Sequence, residues 1–269
     1  MKPKLFIVTL FLLFCGTINA QSSHFWDGIE AFDGPTDDNP VLASQLDFYF
    51  DKLVAPLPDS ITMEIDRLTA RTSYNTDLRD FILWHLLEKF RHPEYMSQDQ
   101  VFVWLYDQYF SQLEIKDLNE TNLAMIRDKA ERLRRLALFN VAPDINIGDS
   151  IDLQSIESDY TVLFFHDHDC EVCQQEMQDL DSICALYTDI TAIAIDLNLD
   201  SSGGFEIRPQ ENGDLKSPIR HRRIANPSEL LMLSDTYDIE TTPLIYVLDR
   251  DKRIIGKKIR AKQILLIIK

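Results

Sequence analysis

The chain has 269 residues, 45% of them hydrophobic and 26% charged, and a formal net charge of −17 at pH 7. That composition fits a globular protein of about two domains. The acidic balance argues against nucleic acid or an anionic membrane surface as partner, and 4 cysteines are too few for a disulfide-built scaffold.

Residues 1–20, MKPKLFIVTLFLLFCGTINA, set Lys2 and Lys4 before an apolar run from Leu5 to Phe14, then small residues ending at Ala20. This is the layout of a secretory signal peptide, with Ile18 and Ala20 suited to a cleavage after Ala20. The run is short for a bilayer span. Two alternatives stand beside it: a retained N-terminal anchor, and lipid on Cys15, which Phe14 opposes because that position takes a small residue. Export, to the periplasm, is the expectation. It leaves Cys170, Cys173 and Cys184 in an oxidising compartment, one pair and one leftover thiol.

Residues 21–38 read as an extended lead-in whose Trp26 and Phe32 tuck into a groove. Residues 39–139 carry apolar spacing near 3.6 throughout and predict an all-α domain. Helices are expected over 39–55, from Asp59 or Ser60, from a cap at Asn75 or Thr76, from a capping box Ser97–Gln100, and over 122–139. The many aromatics here, among them Phe48, Tyr49, Phe50, Phe81, Trp84, Phe102, Trp104, Tyr106, Tyr109 and Phe110, are read as core and rim, with a binding groove as the alternative. His85, on an apolar helix face, is read as a satisfied, partly buried histidine. No role is assigned to this domain.

From about residue 140 the texture changes to short apolar runs separated by turns. Strands are predicted at Tyr160–Phe165, Ile190–Asp196, Leu244–Leu248 and Arg253–Ile259, the last two joined by a hairpin turn at Asp249–Lys252. Helices are predicted at Glu171–Tyr187 and Ser228–Tyr237, with a short one from Lys262. That order argues an α/β domain over 140–269, a central mixed sheet flanked by helices with a right-handed crossover. Residues 199–226 read as a long polar insertion, and their basic run Arg220-His221-Arg222-Arg223 as a solvated loop or a substrate-facing flap.

The sequence VLFFHDHDCEVCQQEMQDL places Cys170 just past a strand and at the start of a helix. Unpaired N–H groups and the positive end of the helix dipole stabilise a thiolate there. Spacing of i, i+3 on the first turn brings both sulfurs to one side. Cys170 then attacks and Cys173 resolves the mixed disulfide. About seventy residues on, Thr241-Thr242-Pro243 precedes an apolar strand, where a proline suits a cis peptide bond in a tight turn. Thr242 and Pro243 offer backbone groups to an extended substrate chain.

With CEVC at a strand–helix junction and TTP before LIYVLDRDKRIIGKKI, residues 140–269 resemble the thioredoxin-like domain of secreted TlpA/ResA-like proteins. Ala142-Pro143-Asp144 resembles that group's APD lead-in, and Glu176 the glutamate of its C-x-x-C-x-x-E pattern. The layout of signal peptide, helical domain and this domain is similar to secreted Bacteroidetes proteins whose helical part has no assigned function. The resemblance implies thiol–disulfide exchange with protein thiols and disulfides in the cell envelope. It also implies an upstream membrane-embedded thiol reductant, and no cofactor, since the sulfurs carry the electrons.

The chain departs from the pattern at Asp169, where the family usually has Trp, at Val172, often Pro, and at Gln178, where a helix proline often stands. Asp169 and Glu171 flank Cys170, and residues 141–200 hold 14 acids and no Lys or Arg. That field opposes thiolate formation and points to a reductase or isomerase rather than a strong oxidant. Protonated His166 or His168 would soften it. Two rival readings remain: a thioredoxin fold serving as a non-catalytic binding module, and a zinc site built from His166, His168, Cys170 and Cys173. Cys184 lies about 16 Å along the helix from Cys173, too far to bond, and is read as a core cysteine.

Overall fold

The structure, a computed structural model, describes residues 24–29, 39–147, 151–199, 219–224 and 226–268. The export segment, Cys15, Phe32 and most of the predicted insertion lie outside them. The chain divides into two compact units, Met1–Arg127 and Asp128–Lys269.

In the first unit, helix α1 spans Pro40–Phe48, α2 Pro58–Arg71, α3 Thr76–Arg91 and α4 Asp99–Leu105; α5, Glu120–Arg135, begins here. Asn39 and Asn75 cap α1 and α3 by accepting from Leu42 N and Leu78 N, as Asn does at N-caps. Two expected caps are replaced. α2 begins at Pro58, whose fixed φ suits the first helical position. The Ser97–Gln100 box does not form, because residues 95–98 close a turn in which Gln98 N donates to Tyr95 O. α1 and α4 each run on into one π-helical turn, Tyr49–Leu53 and Tyr106–Phe110. Tyr49, Phe50, Phe102 and Phe110 are core, and Trp26 packs edge-on to Tyr49. His85 Nε2 meets Asp47 at 3.0 Å, the satisfied histidine expected.

The second unit is built on a five-stranded sheet in the order β3-β2-β1-β4-β5, with β1 Tyr160–His166, β2 Ile190–Asp196, β3 Ile219–Arg223, β4 Leu244–Leu248 and β5 Ile254–Lys257. β1, β2 and β3 are parallel; β4 runs antiparallel to β1, and β5 antiparallel to β4. Helix α6, Glu171–Leu186, follows β1, and α7, Pro227–Tyr237, follows β3. The predicted mixed sheet flanked by helices is what forms.

The period of two sorts each strand onto two faces. Val162, Phe164, Ala192 and Ala194 pack under α6 and a closing 3-10 helix, Ala261–Leu266. Leu163, Phe165, Ile193 and Ile195 pack on the other face with Leu233 and Tyr237 of α7 and Leu136. Near Leu136 the chain is tied to the sheet by Lys257 Nζ, which donates to Leu136 O at 2.6 Å. Lys129 Nζ meets both carboxylate oxygens of Asp238 at 2.8 Å. The APD segment docks too: Ala142 N donates to Lys252 O at 2.8 Å, and the Tyr237 hydroxyl donates to Pro143 O.

One reading is corrected here. Arg220-His221-Arg222-Arg223 is not loop or flap; it is the parallel edge strand β3, paired to Ala192–Asp196. Charged side chains on an edge strand discourage pairing with other chains, and they hid the strand from a hydrophobic pattern.

Candidate active site

β1 ends at His166, and the turn Asp167–Asp169 carries the chain to Cys170, the N-cap of α6. Asp167 shapes that turn: its carboxylate accepts from Asp169 N at 2.8 Å and its carbonyl from Cys170 N at 3.2 Å. Cys170 Sγ accepts from Cys173 N at 3.3 Å, as a capping oxygen would. All three described cysteines are free thiols.

The two sulfurs are placed in opposite electrostatic circumstances. Hydrogen bonds from the Cys173 side chain and backbone lower the Cys170 thiol below its ordinary value, with a smaller contribution from Val172 N. Burial pulls the other way, and Asp167 adds a smaller opposing contribution. Asp167 is not among the flanking acids weighed in the sequence; those two, Asp169 and Glu171, are exposed. Cys173 is buried, 1% exposed; burial first, then its bond to Cys170, pushes it up to about 11.

Thr242 belongs to the site: its side chain hydrogen-bonds the Cys173 sulfur. The Thr242–Pro243 peptide is cis, and both residues are partly exposed. Glu176 is buried. Its oxygens accept from Arg260 Nη1 at 3.1 Å and Ala261 N at 2.6 Å, anchoring the closing helix under α6. Cys184 is 2% exposed, in one core with Cys173, and burial pushes it up to about 12.

The two histidines differ. His166 is 8% exposed, its ring stacked on Phe164. Burial, with His221 and His168 nearby, brings it down to about 4, so it is neutral near pH 7 and does not soften the field. His168 Nδ1 lies 2.8 Å from Asp196 Oδ2. With Cys173, both histidines line a cavity of about 360 Å³ that also takes in Asp196, His221 and Arg223. The last three were not singled out as site residues. Asp196 ends a strand beside the cysteine strand, and a charged residue closing an apolar run was the available signal. Among the described residues no three His, Cys, Asp or Glu are placed to hold a metal ion.

A dithiol at the end of β1, capping the next helix and facing a cis-proline loop, invites comparison with known structures. A thioredoxin-like protein from Bacteroides caccae matches 90% of this chain and 88% of its own, at 14% identity and a TM-score of 0.69. The fold is thioredoxin-like. Shorter matches include the thioredoxin domain of a thiol-disulfide oxidoreductase from Bacteroides vulgatus, at 17% identity over 50% of this chain and 99% of that one, TM-score 0.38. Another is the C-terminal domain of a putative thiol-disulfide oxidoreductase from Bacteroides thetaiotaomicron, at 20% identity over 49% and 97%, TM-score 0.39. No protein-family model and no curated protein matches the sequence.

Proposed function

We propose that the chain is a thiol–disulfide oxidoreductase that acts on protein disulfides in the cell envelope, as a reductase or isomerase. The observation that carries this reading is the asymmetry of the pair. Cys170 is accessible and activated at the N-cap of α6, while Cys173 is buried behind it and protonated. Nucleophilic attack requires the first state, and release of substrate by internal displacement requires a second thiol held within the same turn.

In the forward direction Cys170 Sγ attacks a substrate disulfide and forms a mixed disulfide. Cys173 then attacks Cys170 Sγ, and the substrate leaves as a dithiol. The Thr242–Pro243 segment, beside Cys173, is the docking edge for the substrate backbone. Burial and, to a smaller degree, Asp167 oppose the lowering of the Cys170 thiol, and that opposition favours the reductive direction. Recharging falls to a thiol reductant, membrane-embedded in this reading.

The test is reduction of insulin by the full mature chain with dithiothreitol as electron source. Activity is expected for wild type and lost in Cys170→Ser. Cys173→Ser should trap a substrate mixed disulfide on Cys170. A wild-type protein that does not reduce insulin, with no mixed disulfide trapped in Cys173→Ser, would leave the fold as a binding module.

A further inference from the structure

To resolve a mixed disulfide, Cys173 must lose a proton that burial holds on it. Glu176, the buried acid three residues along α6, has both oxygens engaged, by Arg260 and by Ala261. Cys173 also borders the cavity floored by the ends of β1, β2 and β3. The strand register sets His166 beside Asp196, and Asp196 beside Arg223, on the face that carries α6. Ala194 stands between Phe164 and His221 one row back, and its small side chain leaves room.

Of the histidines in this cavity, His168 is built as a base. Its Nδ1–H donates to Asp196 Oδ2 at 2.8 Å, which fixes the tautomer and leaves the Nε2 lone pair for a proton. Nε2 lies 3.5 Å from Asp169 Oδ1, too long for a good hydrogen bond. Asp196 is itself held, accepting from Asn198 N at 3.1 Å and facing Arg223 Nε at 3.7 Å. Gln174 Nε2 donates to His168 O at 2.9 Å and ties the residue to the first turns of α6. The side chain is 39% exposed, so a proton received there can pass to solvent. Around it stand Asp167 and Asp169 from the turn, His166 from β1, Asp196 from β2, and His221 and Arg223 from β3.

We propose that His168, oriented by Asp196, accepts the Cys173 proton through water in this cavity during resolution. The inference rests on the thiol–disulfide reading. In the step, the Cys173 S–H bond breaks and its proton passes to His168 Nε2. Cys173 Sγ bonds to Cys170 Sγ, the bond from Cys170 to the substrate sulfur breaks, and the electron pair leaves on that sulfur. Proton return from His168 or solvent completes the substrate thiol. Two electrons have then moved from the dithiol to the substrate disulfide.

The experiment mixes the reduced full-length protein with an aryl disulfide, dithiobis(nitrobenzoate), under single-turnover conditions across pH 5–9. The first nitrothiobenzoate reports attack by Cys170, and the second reports resolution by Cys173. In His168→Gln the second phase is expected to slow by about ten-fold or more near neutral pH and to lose the histidine inflection of wild type. The first phase should change by less than about three-fold. Asp196→Asn should slow the second phase with the inflection moved. Imidazole should restore the second phase, not the first, in His168→Gly. A second phase in His168→Gln with wild-type rate and pH profile would overturn the proposal. If wild type releases no second equivalent, the oxidoreductase reading itself fails, and the proposal with it.

Discussion

The sulfur of Cys170 caps the helix in whose first turn Cys173 is buried, 3.3 Å from the Cys173 amide. One geometry thereby sets both thiols: the hydrogen bonds from Cys173 favour the Cys170 thiolate, and the same turn buries Cys173 against the sheet. At pH 7 iodoacetamide should therefore label Cys170 first, about ten-fold or more faster than Cys173 or Cys184, because the thiolate is the reactive form. Peptide mapping of the alkylated protein checks the order. Equal labelling of Cys170 and Cys173 would contradict it.

His166 makes folding stability depend on pH in a stated window. Its folded value, about 4, lies below the roughly 6.5 of an unfolded histidine, so between these values the unfolded chain binds more protons. Stability is full above about pH 6.5 and falls toward pH 4, by about 2–3 kcal/mol at most. Urea titrations at pH 7 and 4.5 measure the drop. His166→Phe, which keeps the stacking position on Phe164, should flatten it.

Asp238 acts lower on the scale. Burial alone would raise its carboxyl, but Lys129 and Lys258 outweigh that and hold it below the ordinary carboxylate range. Its contribution is complete above about pH 4, the unfolded value, and is lost as pH falls through the lower folded value. Asp238→Asn at pH 7 leaves Lys129, 2% exposed, buried without its main partner. About 3 kcal/mol of stability should be lost, read from chemical denaturation.

Glu176→Gln tests the anchor under α6. The variant keeps one acceptor for Ala261 N but loses the charge that pairs with Arg260. A loss of about 1–2 kcal/mol is expected, with the Cys170 labelling rate unchanged within about two-fold. A large change in that rate would return Glu176 to the chemistry.

Much of this was legible in the sequence, for physical reasons. β1, β2 and β4 are buried on both faces, so each reads as an apolar run, and Asn75 announces α3 because a side-chain oxygen must meet an orphan N–H. β3 was invisible because His221 and Arg223 occupy positions that a core strand would give to apolar residues. The dithiol and the proline loop were legible from spacing alone. Asp167 and Asp196 were not, since their importance arises from a turn and a parallel register that bring separate strand ends together. The flanking acids Asp169 and Glu171 looked decisive in sequence, yet both are exposed to solvent, where charge is screened.

The central claim is that Cys170 and Cys173 form a cycling redox pair. The direct measurement is their reduction potential, by equilibration of the protein in glutathione or dithiothreitol buffers followed by thiol trapping. The account predicts one reversible two-electron couple between about −180 and −270 mV, absent in Cys170→Ser. A couple near about −120 mV would contradict the reductive direction, and a pair that does not cycle would contradict the function.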